Sequence, residues 1–255
     1  LDMKLGDVEY NYAEALRLIR ETVKEEKSDV VVLPETWTTG FYPKENLASY
    51  CDRDGERAKK TFADLAKELN VNIVAGSIAN EKNGEIYNTA FVFNREGEVV
   101  AEYDKTHLFT PMDEHKFFSF GKNLVTFELD GHKCGIVICY DIRFCELVRS
   151  LALRGIDMLF MVSQWPLVRT SHIVTLTKAR AIENQMFVVC CNSCGKTPDA
   201  VFGGHSQIID PWGEVLGAAG EKREVITADC DFGTIKDIRN SINVFNDRKP
   251  DLYEL

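Results

Sequence analysis

Apolar residues at Ala13, Leu16, Ile19 and Val23 recur at helical spacing with charges between them, which predicts an amphipathic helix. The period then changes. Residues 30–33 form a continuous apolar run that stops at Pro34, the pattern of a strand covered on both faces. A second helix, carried by Ala58, Phe62, Leu65, Ala66 and Leu69, leads into another apolar run at 71–75. Residues 86–93 and 99–103 flank Asn94-Arg95-Glu96-Gly97-Glu98 and predict a hairpin. Residues 125–129 and 134–139 flank Asp130-Gly131 and predict a second one. Beyond Arg143, a helix (Leu147, Leu151), a strand at 158–162, a helix over Ile173, Leu176, Ala179, Ile182 and Met186, and a strand at 187–191 alternate. Strands at 206–209 and 214–216 enclose the turn Asp210-Pro211-Trp212-Gly213. One more strand is expected at 225–228, and the tail from Phe232 reads as polar and partly helical.

Helix–strand units mixed with hairpins imply an α/β protein whose mixed sheets are covered by helices. No Ser/Gly-rich linker and no repeat of fixed period divides the 255 residues, so a single domain over 1–255 is expected. A hydrophobic fraction of 45% fills a sizeable core. No apolar run approaches the roughly 20 residues of a membrane span, and residues 1–7 lack the basic start of a signal peptide. The net charge of −10 argues against a nucleic-acid partner, which needs a basic face. Eight cysteines, several inside apolar runs, read as reduced thiols and point to a cytoplasmic setting. Cys191-x-x-Cys194 has no second ligand pair and is read as strand cysteines entering a turn at Gly195, against a zinc or redox motif.

Cys139 is the strongest chemical signal. It ends an apolar strand and precedes a helix, and such a corner exposes a side chain beside free backbone N–H groups that favour a thiolate. The bland alternative is a buried structural cysteine at a strand end. None of the five histidines stands in a Cys/His nucleophile pattern, so the base is sought elsewhere. Glu35 follows the run at 30–33 and Pro34, where a buried strand emerges, and burial there raises a carboxyl toward the range of a proton carrier. Lys105 also lies directly beyond a strand. For either residue alone a surface ion pair is the plainer reading. His107, His115 and Asp113 match no common metal spacing and read as loop residues.

Taken in order, Leu33-Pro34-Glu35, the segment from Tyr103-Asp104-Lys105 to Phe109, and Cys139-Tyr140-Asp141-Ile142-Arg143-Phe144 resemble the three signatures of the nitrilase superfamily of carbon–nitrogen hydrolases. Further likeness runs through Ala179-Arg180-Ala181-Ile182-Glu183-Asn184-Gln185, His205-Ser206, Asp210-Pro211-Trp212-Gly213 and the residues from Arg248 to Tyr253. The chain is most like the branch that holds omega-amidases and their bacterial relatives. The resemblance implies a four-layer α-β-β-α sandwich of the nitrilase type, whose protomers commonly pair into a larger layered assembly. It makes Glu35 the general base and later acid, Lys105 the oxyanion stabiliser and Cys139 the nucleophile that carries a thioester. Glu114, in Pro111-Met112-Asp113-Glu114-His115, corresponds to the family's second glutamate and would position Lys105 and the substrate amide; the alternative is an exposed acidic loop. The N–H of Tyr140 is a natural second oxyanion donor. No metal and no organic cofactor is implied. The family pattern opens with a central strand ahead of Asp2, so the native polypeptide is expected to be longer.

The implied substrate is a small amide, most simply the omega-amide of a dicarboxylate. N-carbamoyl amino acids, other small amides and nitriles are alternatives on the same triad. Arg143 and Arg169 are candidate anchors for a substrate carboxylate, although Arg143 also suits a structural ion pair. Phe41, Trp165 and Phe202 are candidate pocket walls. A non-catalytic scaffold or a redox thiol protein using Cys191 and Cys194 are the rival classes. A homodimer is expected, since Ile235, Ile238, Ile242, Val244 and Phe245 in the tail would lie partly exposed on a monomer.

Overall fold

The structure, a computed structural model, describes residues 1–41 and 43–253. Helix α1 (Val8–Glu26) begins where the Asp7 side chain accepts the Tyr10 N–H at 3.1 Å, and ends at Lys27 in left-handed geometry. Strands β1 (Val30–Val32) and β2 (Asp52–Arg53), helix α2 (Glu56–Leu69), and strands β3 (Asn72–Lys82), β4 (Glu85–Phe93) and β5 (Val99–Asp104) follow. These strands make one sheet in the order β1-β3-β4-β5, with β2 beside β3. The second sheet contains β6 (Thr126–Leu129), β7 (His132–Ile138), β8 (Met158–Ser163) and β9 (Phe187–Asn192), with helices α3 (Cys145–Leu153) and α4 (Thr170–Asn184) between them in sequence. After a small hairpin, β10 (Cys194–Lys196) with β11 (Val201–Gly203), strands β12 (Gln207–Ile209) and β13 (Val215–Ala218) complete it in the order β13-β12-β9-β8-β7-β6. Helices α5 (Gly233–Ser241) and α6 (Val244–Asp247) form the tail.

Side-chain alternation along the strands sets the layers. Ile73, Ala75, Phe91 and Phe93 pack against Tyr12, Ile19, Phe62 and Leu65 of α1 and α2. Their neighbours Val74, Ala90, Val92, Ala101 and Tyr103 point the other way, into a core shared with Ile136, Ile138, Phe160 and Val162 of the second sheet. Leu147, Val148 and Leu151 of α3 and Ile173 and Ala181 of α4 cover that sheet. The result is the α-β-β-α sandwich expected. Among the described residues, no helix is long and apolar enough to cross a membrane.

Four local expectations are corrected. Strand β3 runs from 72 to 82, well past the apolar run, because its polar side chains are buried with partners: Ser77 Oγ accepts the Thr36 N–H at 3.0 Å and Asn80 Oδ1 accepts the Gly55 N–H at 2.8 Å. Residues 225–228 form no strand; they run beside a cavity of about 1000 Å³ between the β1 edge and the second sheet and pair with no described strand. Gly195 sits within β10 rather than in a turn. In the tail, Ile235 and Ile238 are buried on the chain's own core, Phe245 packs against it, and Ile242 alone of the five apolar residues named stays exposed.

One irregularity matters for the site. The register of β3 against β4 shifts between Val74 and Ser77, and Gly76 in that bulge has φ +64°. A Cβ there would lie 2.0 Å from the Pro34 carbonyl oxygen, so only glycine lets the segment after β1 lie this close. Gly76→Ala should therefore destabilise the protein by about 3 kcal/mol, from the positive φ and the clash together. That corresponds to a Tm drop of roughly 6–12 °C in thermal unfolding. A Tm within a degree or two of wild type would show that the bulge can relax.

Candidate active site

Glu35 is pinned from three directions. Leu33 N–H donates to Val74 O at 2.9 Å, Ser77 N–H to Pro34 O at 3.1 Å, and Glu35 N–H to Ser163 O at 3.4 Å. Two residues on, the wholly buried Trp37 donates its indole N–H to Ala75 O at 2.7 Å. The Glu35 carboxylate is thus held at the point where β1 leaves its sheet. Its Oε2 accepts the Gln164 backbone N–H at 2.8 Å.

Lys105 follows β5, and its N–H continues the ladder to Asn88 O at 2.9 Å. Its side chain is 2% exposed, and the ammonium sits between two carboxylates, 2.8 Å from Glu35 Oε1 and 3.0 and 2.9 Å from the two oxygens of Glu114. Glu114 is buried rather than on an exposed acidic loop, and its Oε2 also accepts the Phe109 N–H at 2.6 Å. Asn88 joins the set. Its amide donates to Glu35 Oε1 at 2.9 Å and to Glu114 Oε1 at 3.3 Å. Sequence reasoning missed Asn88; the available signal was a pair of polar residues, Asn88-Thr89, inside an apolar strand run.

Cys139 directly follows β7 and has φ +48°, a left-handed conformation that a residue with a side chain adopts only under constraint. The constraint comes from Asp141, which is wholly buried. Its Oδ2 accepts the Ile138 N–H at 3.0 Å and the Tyr103 hydroxyl at 2.7 Å. Its Oδ1 accepts the His107 N–H at 2.9 Å, and the His107 ring nitrogen Nδ1 lies 2.9 Å away. One carboxylate therefore ties the cysteine corner to the segment that carries Lys105. His107, read from sequence as a loop residue, is part of this tie and stacks on Phe144 with centroids 3.6 Å apart. The Tyr140 N–H lies in the first turn of the short 3₁₀ segment Cys139–Arg143, where backbone donors lack intrahelical partners.

The electrostatics bear on one expectation. Burial pulls the Lys105 ammonium pKa down, but the charges of Glu114 and Glu35 outweigh it and hold Lys105 charged well above the usual lysine range. That charge is already shared between two carboxylates, so little is left for sulfur. Burial first, and then the Glu35 charge, push the Cys139 thiol well above its ordinary value, against the opposing pull of Lys105 and Ser163. That direction favours a neutral thiol at rest, against the pull toward a thiolate expected from its corner alone.

Glu35, Lys105, Glu114, Cys139 and Tyr140 line one cleft, together with Phe41, Phe109, Met112, Trp165, Arg143 and Arg169. The cleft is narrow, with a cavity volume of about 30 Å³, so only a small group enters without the walls giving way. Phe202 is not part of the lining and instead packs its ring on Phe41 at 5.4 Å. Arg143 lies 4.6 Å from the Trp165 ring centroid with Nη2 3.1 Å from His172 Nδ1, and Arg169 lies 5.4 Å from that of Phe109. Among the described residues neither guanidinium forms an ion pair, so the structural pair considered for Arg143 is absent.

The carbon-nitrogen hydrolase family profile matches residues 1–240. The 2-oxoglutaramate amidase of Bacillus subtilis is 45% identical over 252 residues, covering 99% of this chain and 96% of that protein. The omega-amidase NIT2 of Homo sapiens is 32% identical over 252 residues, covering 95% and 91%. Among solved structures, Saccharomyces cerevisiae Nit3, a member of branch 10 of the nitrilase superfamily, superposes with a TM-score of 0.85 at 27% identity, covering 99% of this chain and 94% of that one.

The buried charges make a test of the site independent of activity. Lys105→Met leaves the Glu35 and Glu114 carboxylates buried without their cation, and should destabilise the fold by about 3–5 kcal/mol at neutral pH. Each carboxylate regains neutrality by taking a proton, so the deficit should narrow as pH falls toward 5. Denaturant titrations of both proteins across that range measure it, and a deficit that stays constant would contradict this account of the charges.

Proposed function

This chain belongs to the carbon–nitrogen hydrolase family, and from that premise we propose that it hydrolyses the terminal amide of a small dicarboxylate, releasing ammonia and the diacid. The observation that carries the reading is the convergence on one small cleft of Glu35, Lys105, Glu114 and Cys139 with two guanidinium groups that no carboxylate of the described residues engages. A substrate with an amide at one end and a carboxylate at the other answers both halves of that cleft. The similarity to the Bacillus subtilis 2-oxoglutaramate amidase and to omega-amidases favours the same substrate class.

In the proposed cycle Glu35 takes the Cys139 proton as sulfur attacks the amide carbon. Charge developing on the carbonyl oxygen is met by the Lys105 ammonium and the Tyr140 N–H. Glu35 returns the proton to the leaving nitrogen, ammonia departs, and the acyl group remains on sulfur as a thioester. Water, deprotonated by Glu35, attacks that thioester. The carboxylic product leaves as Glu35 hands the proton back to sulfur. Amide and water enter, and carboxylate and ammonia leave. Glu114 and Asn88 hold Lys105 and Glu35 in position throughout. Phe41 and Trp165 wall the site, and Arg143 or Arg169 anchors the remote carboxylate by a charge-assisted contact.

The same reading includes a reducing compartment, which suits eight cysteines that are all free thiols. It also includes a homodimer, supported by exposed apolar residues such as Ile182 on α4 and Trp212 in the turn that packs near it. A monomer mass by light scattering at micromolar concentration would remove the dimer.

Ammonia release from a panel of omega-amides, N-carbamoyl amino acids, nitriles and uncharged amides tests the function. Omega-amides of dicarboxylates should be turned over best. Cys139→Ala should abolish turnover with the fold intact, and Glu35→Gln should lower it roughly a hundred- to ten-thousandfold. Replacing the true anchor, Arg143 or Arg169, with Ala should raise KM for the dicarboxylate amide roughly tenfold or more and leave an uncharged amide almost unaffected. Near-normal activity of Cys139→Ala would refute the mechanism. A wide preference for a nitrile or an N-carbamoyl compound would refute the substrate class alone.

A further inference from the structure

Strand β8 ends at Ser163, one residue past the Val162–Ile138 register pair, which sets Ser163 beside Cys139 at the end of β7. Its carbonyl is occupied, accepting the Glu35 and Ser193 N–H groups at 3.4 and 3.1 Å. Its hydroxyl is not. Ser163 is wholly buried, and Oγ makes no hydrogen bond of ordinary geometry with any described residue. Buried hydroxyls are nearly always satisfied, because an unpaired one opposes folding, so an orphan at this spot calls for a reason.

The neighbouring group supplies one. Continuing the β7–β8 register makes Ser163 the neighbour of Cys139, and its hydroxyl favours the charged form of the sulfur. A neutral thiol is a weak acceptor and a thiolate a strong one. We propose that Ser163 donates its hydroxyl hydrogen to the Cys139 sulfur as the proton leaves for Glu35, so that the hydroxyl gains its partner only in the reactive state. An interaction absent at rest and present on the way to the transition state is the kind that speeds the chemical step. The orphan hydroxyl and the neutral resting thiol are then two sides of one arrangement. Every charged group facing the sulfur enters the balance: Glu35 beyond β1 and Glu114 oppose the thiolate, Lys105 beyond β5 supports it, and Ser163 adds a neutral donor. The inference rests on Cys139 being the nucleophile, as proposed above.

The test is the pH dependence of iodoacetamide inactivation of the full chain, with the adduct on Cys139 followed by peptide mass spectrometry. Wild type is compared with Ser163→Ala, Ser163→Gly and Ser163→Thr, and Tm is recorded for each. Loss of the hydroxyl should move the profile up by about one pH unit, which is roughly tenfold slower inactivation on its rising limb. kcat/KM should fall in step, while the Tm of Ser163→Ala stays level or rises because an unsatisfied buried hydroxyl has gone. Ser163→Thr, which keeps the hydroxyl, should return the profile toward wild type. Ser163→Ala or Ser163→Gly profiles that superimpose on wild type would overturn the inference, whatever happens to Tm. Turnover by Cys139→Ala would instead sink the parent reading, so the two failures are distinguishable.

Discussion

An ammonium group can stay charged in a protein interior only where carboxylates and hydrogen bonds replace its lost water. Lys105 meets that condition through Glu35 and Glu114, each within 3.0 Å of its nitrogen. Much of the surrounding architecture serves to keep those three groups together. The glycine bulge in β3 lets Pro34 and Glu35 lie against the sheet, the β4–β5 ladder sets the height of Lys105, and Asn88 on β4 bridges the two carboxylates. Removing any one of these supports would leave a charge buried without full compensation.

The same clamp dictates how the sulfur must work. A cation whose charge is divided between two carboxylates cannot also hold a thiolate, and burial disfavours a further negative charge. In the proposed cycle Cys139 starts as a thiol and its proton moves to Glu35 during attack, the step that calls for a carboxylate base. As that proton passes to Glu35, one oxygen of the Lys105 clamp becomes neutral. The ammonium is then freer to meet negative charge arising on a substrate oxygen. In that cycle proton transfer and oxyanion stabilisation are coupled through Lys105, and the positive φ of Cys139 sets the corner from which its sulfur would attack.

Much of this was legible in the sequence. Helical periodicity at Ala13 to Val23 and the apolar runs at 30–33 and 134–139 located the elements whose ends carry Glu35 and Cys139, because apolar burial governs both the pattern and the fold. The family signatures brought Lys105 and Glu114 into the set. What stayed hidden was polar and buried: Ser77 and Asn80 inside β3, Asn88 in β4, Ser163 at the end of β8. Such residues look like strand breakers or surface positions in a one-dimensional pattern, and only the partners contributed by distant segments justify them. The direction in which the Cys139 thiol is pushed was hidden for the same reason. A strand–helix corner alone favours a thiolate, whereas the net charge of the site depends on Glu35 and Glu114, far away in sequence.

The central claim is that Cys139 rests as a neutral thiol because burial and the Glu35 charge disfavour a thiolate, while the charge of Lys105 is shared between Glu35 and Glu114. Thiolate absorbs in the near ultraviolet and thiol does not, so the absorbance difference between wild type and Cys139→Ser, followed against pH, measures this directly. The account predicts no thiolate signal at neutral pH and a rise only above the ordinary cysteine range of about 8.5. A full thiolate signal already present at pH 7 would contradict it.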